Sequence, residues 1–150
     1  MESFLSNYTY KVDRKGRLSV PAPFRQILCR NESRRFGAFA SPNEIAIRCC
    51  GPEILDRICA DRDPMAVFSE AVPDDAYRLA AEMQELSLDE EGRVILPKHL
   101  MDYAQIVDQA TFAGRINFFE IWEPARFQEQ LAQQREKRRI RGAAAGGGML

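Results

Sequence analysis

The residues best suited to chemistry stand together near the start of the chain: Arg14, Lys15 and Arg17 follow Asp13 in VDRKGRLSVP, residues 12–21. A guanidinium is a planar fork of donors that matches the O6 and N7 acceptors of guanine in a major groove, while neighbouring Lys and Arg hold phosphates. These types suit recognition of a nucleic acid. The stretch is written again at 88–97 as LDEEGRVILP, with Asp89 and Arg93 kept and Glu90 and Glu91 in place of the two tip cations. Duplicated aspartates raise a second possibility, an acid/base dyad of Asp13 and Asp89 sharing one proton across a pseudo-two-fold axis. The flanking cations speak against it, because they favour ionised carboxylates, and Asp already has a structural task in starting the turn. There is no P-loop, no Gly-rich dinucleotide fingerprint and no Ser-His-Asp set to start another catalytic reading.

The residues between the carboxylate and the glycine define the element that must carry this chemistry. Asp favours the first position of a type I turn, where its side chain accepts backbone N–H bonds, and Gly takes the left-handed conformation that closes the loop. Tyr8, Tyr10 and Val12 alternate with polar residues before the break, as do Leu18 and Val20 after it, the period of half-buried strands. The spacing predicts a β-hairpin with Arg14 and Lys15 at its apex and Arg17 one step down the returning strand. Pro21 and Pro97 then open short helices with Phe24, Ile27 and Leu28 in one, and Leu100, Tyr103 and Ala104 or Ile106 in the other, at core spacing. Arg25 faces outward from the first. His99 reads as a surface or rim residue.

The duplication organises the whole chain. Asn43, Ile45 and Ile47 stand to Pro52 roughly as Asn117, Phe119 and Ile121 stand to Pro124, and a helix-compatible segment follows each proline. Between the copies, residues 73–88 read as one acid-started helix with Tyr77, Ala80, Ala81, Met83 and Leu86 on its apolar side. From Pro124 to Arg141 the chain is amphipathic at first, through Phe127 and Leu131, and then strongly basic. The closing low-complexity stretch, 142–150, is expected to lack fixed structure.

Bulk properties fit a single soluble body. A chain of 150 residues, 45% hydrophobic and 29% charged, holds two copies of about 75 residues, each too small to bury much apolar surface alone, so the copies are expected to share a core. No apolar run reaches membrane-spanning length, and nothing resembles a signal peptide, which points to the cytoplasm. Cys29, Cys49, Cys50 and Cys59 form no C-x-x-C pair and are expected as reduced, mostly buried thiols, with no metal and no cofactor. The net charge of −1 conceals strong segregation: residues 1–35 carry +5, residues 42–91 carry −9 and residues 129–141 carry +3.

DRKGRLSVPAPFR, LDEEGRVILPKHL and FFEIWEPARF together resemble the MraZ family of bacterial transcriptional regulators, over about residues 4–131. The resemblance implies an α+β fold, an intertwined β-barrel of two tandem SpoVT/AbrB-like repeats with flanking helices. It divides the chain into a first module (4–50), a connecting helical segment (51–79), a second module (80–123) and a C-terminal helix (124–141). It also implies a homo-oligomeric ring, nucleoid-associated in the cytoplasm, that binds direct repeats in double-stranded promoter DNA and represses the division and cell-wall gene cluster, its own gene included. The DNA-binding residues are then Arg17 with Lys15 and Arg14, joined by Arg25 and by Arg93 of the second copy. Two departures from the pattern are the acidic second tip and Met101, where the family often has Arg. The competing readings are an AbrB-like antitoxin or global regulator, and a ring-forming interaction scaffold that uses the acidic centre. Beyond the disfavoured aspartate dyad, nothing in the sequence points to an enzyme, and nothing points to a membrane partner or a small-molecule substrate.

Overall fold

A computed structural model describes residues 3–60 and 74–149. The first copy supplies β1 (Asn7–Lys11), β2 (Arg17–Ser19), α1 (Ala22–Leu28), a single 3-10 turn (Arg30–Glu32), β3 (Arg35–Ala40), β4 (Ile47–Cys50) and α2 (Pro52–Ala60). After α3 (Asp74–Glu82), the second copy repeats the order with β5 (Gln84–Ser87), β6 (Arg93–Ile95), α4 (Lys98–Ala104), β7 (Gln109–Gly114), β8 (Phe119–Trp122) and α5 (Pro124–Met149).

The strands do not pair as the sequence suggested. β1 and β2 are not two arms of one ladder: β1 pairs with β7, and β2 pairs with β6 of the other copy. The larger sheet runs β1-β7-β8-β4-β3-β5, all antiparallel, and exchanging the copies turns this order into its own reverse. A pseudo-two-fold axis therefore passes between β4 and β8. The fold is α+β with an antiparallel sheet that stays open, because β1 and β5 are its edges and the β2–β6 ribbon is a separate ladder. The closed barrel implied by the family resemblance is not formed by these hydrogen bonds.

Ribbon and sheet share one core. Leu18, Val20, Val94 and Leu96 point inward from the ribbon and pack with Phe24, Phe36, Phe112 and Phe119, each of which is fully buried. Phe24 sits among the rings of Phe4, Tyr8, Phe112 and Phe119 at 5.2–6.3 Å between centroids, the range in which edge and tilted aromatic pairs add to plain burial. Each copy thus completes its apolar surface only against the other, as its small size requires.

Three local expectations need correction. The helix expected over 73–88 ends at Glu82, and Gln84–Ser87 forms β5 against β3, with Leu86 buried on the strand. Leu86 and Leu88 keep the period-two alternation that Tyr10 and Val12 have in the first copy, and that pattern prevailed over helix propensity. Tyr103, expected in the core, is 42% exposed, and its hydroxyl donates to the Ser41 carbonyl. Finally, α5 continues past Arg141 to Met149, favoured at Ala143–Ala145 and held against the low helix propensity of the glycines at 142 and 146–148. The middle of the connecting segment, 61–73, lies outside the described residues, as does the side chain of Cys59. Cys49 and Cys50 are buried free thiols, while Cys29 is exposed.

Near the axis, one charge is buried that the sequence reading overlooked. Glu120 on β8 is 1% exposed and accepts from Arg48 Nε and Nη2 (3.3 Å each), Arg115 Nη1 (3.0 Å) and Trp122 Nε1 (3.2 Å). Both guanidiniums also lie over the Phe118 ring. Removing the carboxylate leaves Arg48, 24% exposed, without its carboxylate partner among the described residues, and leaves Arg115 only Glu44, 3.8 Å away. Glu120→Ala is expected to lower the free energy of unfolding by about 2 kcal/mol in a urea titration. A loss below about 0.5 kcal/mol, typical of surface changes, would contradict the role assigned to this cluster.

Candidate nucleic-acid interface

The loop at 13–17 is built around one carboxylate. Asp13 Oδ1 accepts the backbone N–H groups of Lys15 (2.9 Å) and Arg17 (2.8 Å), and Gly16 N donates to the Asp13 carbonyl at 3.0 Å. Gly16 closes the loop at φ +79°, a conformation that costs a side-chain-bearing residue roughly 1–2 kcal/mol. The second loop has the same wiring: Asp89 Oδ1 accepts from Glu91 N and Arg93 N at 2.9 Å each, with Gly92 at φ +76°. The turn chemistry read from Asp-x-x-Gly is thus present in both copies, without the hairpin ladder expected around it.

Each aspartate also captures its arginine. Arg17 Nε donates to Asp13 Oδ2 at 2.6 Å, and Arg93 Nε to Asp89 Oδ2 at 3.2 Å. The difference lies beyond Nε. The Nη atoms of Arg17 have no protein partner among the described residues, so the end of its fork is free and held in one orientation. Arg93 Nη2 instead pairs with Glu91 Oε2 at 3.0 Å, which occupies half of the corresponding fork. Arg14 and Lys15 are exposed at the first tip, with no carboxylate partner among the described residues.

The ribbon sets the two loops apart. Leu96 N donates to Gly16 O and Val20 N to Gly92 O, so the basic loop adjoins one end of the ribbon and the acidic loop the other. Four residue steps along a strand separate them by roughly 13 Å. The five candidate residues accordingly fall into two groups. Arg14, Lys15 and Arg17 share the basic end. Arg25 and Arg93 share the acidic end, where Arg25 reaches out from α1, its Nη1 3.4 Å from the Glu91 carbonyl. A Cβ at Gly92 would lie 2.2 Å from that Nη1, so a side chain there would displace Arg25. Met101, the residue of α4 equivalent to Arg25, lies 4.0 Å from the same position at Gly16. A cation braces the acidic loop, and an uncharged side chain backs the basic one.

This geometry removes the dyad reading. Asp13 and Asp89 lie at opposite ends of the ribbon, and each is held by its own loop. Both carboxyls are shifted below the usual aspartate range, Asp13 first by the Arg17 backbone N–H and Asp89 first by that of Arg93, against a smaller opposing effect of burial. A shared proton would require one of them to be raised. His99 is exposed at the surface, as expected. No group of His, Cys, Asp and Glu among the described residues is arranged to hold a metal, and no described helix is long and apolar enough to cross a membrane.

Two interleaved copies, presenting a short ribbon between two Asp-anchored loops, make this a duplicated α+β module. The family model described as "MraZ protein, putative antitoxin-like" matches residues 79–145. The chain is 38% identical to the transcriptional regulator MraZ of Azorhizobium caulinodans, over 97% of this chain and 96% of that protein. It is 37% identical to the protein of the same name from Rhizobium rhizogenes (95% and 97% covered), and 36% identical to that of Methylocella silvestris (91% and 84%). The chain belongs to the MraZ family.

Because the folded carboxyl values are depressed, what Asp13 and Asp89 add to loop order is complete above the unfolded value of about 3.9 and is lost as pH falls through the lower folded values. Carbon-detected NMR titration should find both carboxyls titrating below ordinary aspartate, with the Lys15, Arg17, Glu91 and Arg93 amides losing protection only in more acid solution. Either carboxyl titrating at or above the ordinary value would contradict the loop wiring.

Proposed function

We propose that the chain is a sequence-specific DNA-binding transcriptional regulator, and that the outer face of the β2–β6 ribbon enters the major groove from its basic end. A two-stranded ribbon is one of the two elements a major groove admits. The observation that carries the reading is the state of Arg17: Nε is fixed by Asp13, while the fork beyond it has no protein partner among the described residues, at an exposed end of the ribbon. An arginine already oriented loses less freedom when it donates to guanine O6 and N7, and Arg14 and Lys15 beside it suit phosphates. Arg93, half engaged by Glu91 and flanked by acids, suits a lesser part, and Arg25 acts through the loop it braces.

The names of the relatives support the regulatory role, and the family resemblance supplies its details. In this reading the modules are residues 4–50 and 80–123, joined by 51–79 and followed by α5. They act in the cytoplasm at the nucleoid as a ring of identical subunits. The ring binds direct repeats in the promoter of the division and cell-wall gene cluster and represses it, including its own gene. Avidity then multiplies one modest ribbon contact when repeat spacing matches subunit spacing. The antitoxin-like wording of the family description favours one alternative, a regulator that also binds a protein partner, with the exposed basic part of α5 available to it.

Retention of the chain's own upstream DNA in a gel tests the DNA-binding reading. Arg17→Ala should weaken it about tenfold to a hundredfold, the value of one bidentate guanine contact, with oligomer size unchanged. Arg93→Ala should have a smaller effect. Affinity should fall with salt at a log-log slope of about −0.9 per phosphate neutralised. Equal retention by wild type and Arg17→Ala, or a flat salt response, would contradict the proposal.

A further inference from the structure

The outer face of the ribbon carries four side chains. Leu18 and Val94 point into the core, so the alternation turns Arg17, Ser19, Arg93 and Ile95 to the other side. The register sets Arg17 directly opposite Ile95, and Ser19 directly opposite Arg93. In chain position Ile95 is the counterpart of Ser19, so the two ends of the face carry an Arg–Ile pair and an Arg–Ser pair. Exposed isoleucines are common on protein surfaces, and the 61% exposure of Ile95 decides nothing by itself. Its position is what matters. It stands across the strand from Arg17, whose Nη atoms have no protein partner among the described residues, on the face otherwise made of polar residues, at the end crowned by Arg14 and Lys15.

We propose that Ile95 is a specificity-determining residue that packs against a thymine C5-methyl next to the base addressed by Arg17. The inference rests on the DNA-binding reading given above. Directly opposed side chains on an antiparallel pair have Cβ atoms about 4.5–5.5 Å apart. Stacked bases follow one another at about 3.4 Å, so two such side chains address neighbouring base pairs rather than one. The thymine methyl is the apolar group that the major groove displays. An isoleucine is the right chemistry for it and cannot satisfy the donors and acceptors of other bases. Ile95 Cγ2 also lies 3.9 Å from where a Cβ on Gly16 would stand, which ties its position to the loop that aims Arg17. At the opposite end Ser19, whose hydroxyl both donates and accepts, tolerates any base. The face is therefore directional despite its pseudo-symmetric backbone, reading an apolar group beside Arg17 and none beside Arg93.

The test uses the full chain and a fluorescent duplex of its own upstream region, in which thymidines are replaced one at a time by deoxyuridine. Wild type should show one position per bound repeat at which loss of the methyl weakens binding about three- to fivefold, the worth of one buried methyl group. Ile95→Ala should bind the methylated and unmethylated duplexes equally. Ile95→Ser, which copies the residue opposite Arg93, should do the same, and Ser19→Ala should leave the methyl effect intact. All three should keep the wild-type oligomer size in light scattering. Binding without any methyl-sensitive position, or a methyl effect that survives both Ile95 variants, overturns the inference and leaves DNA binding standing. A wild-type chain that binds none of the duplexes overturns the DNA-binding reading and this inference with it.

Discussion

Pairing between the copies is the constraint from which the remaining structure follows. Neither copy pairs its own first two strands: β1 pairs with β7 and β2 with β6. The exchange turns two sequences too short for independent cores into one body with a common aromatic centre. It also determines what reaches the surface. A hairpin within one copy would display one loop at the end of one ribbon, whereas the exchanged ribbon displays a single face with a loop from each copy at either end.

Onto that symmetric frame the side chains impose a direction. Both loops are closed by the same carboxylate capture and the same left-handed glycine, so their backbones are near copies. The charges at their tips are opposite. Glu91 takes up part of Arg93, Arg25 braces the loop that carries Glu91, and the matching position beside the basic loop is Met101. An arginine in place of Met101 would set a fourth cation against Arg14, Lys15 and Arg17. The differences between the copies thus form a consistent set, each keeping one end cationic and open and the other neutralised and occupied.

Much of the site was legible from sequence because its chemistry is local. Asp-x-x-Gly specifies its own hydrogen bonds, Pro21 and Pro97 start their helices, and strand alternation tells Leu18 and Val94 from Arg17 and Ile95. Pairing partners were not legible, since a period of two reports which face a residue occupies and never which strand lies beside it. For the same reason Ile95 looked like an ordinary strand residue until the register put it opposite Arg17. Arg25 was correctly read as outward, yet its target is a loop 66 positions away. Glu120 lay in view in FFEIW, but its burial depends on Arg48 from the other copy.

The account stands or falls on whether the outer face of the exchanged ribbon is the surface that meets DNA. Ser19 lies on that face and is exposed, so a cysteine placed there in a Cys29→Ser background gives a direct readout, with mass spectrometry locating the modified site. The account predicts that the chain's own promoter duplex strongly slows alkylation of residue 19, and that an unrelated duplex of equal length slows it far less. Alkylation at the same rate with and without bound promoter DNA would mean that the duplex lies elsewhere on the molecule, and would contradict the account.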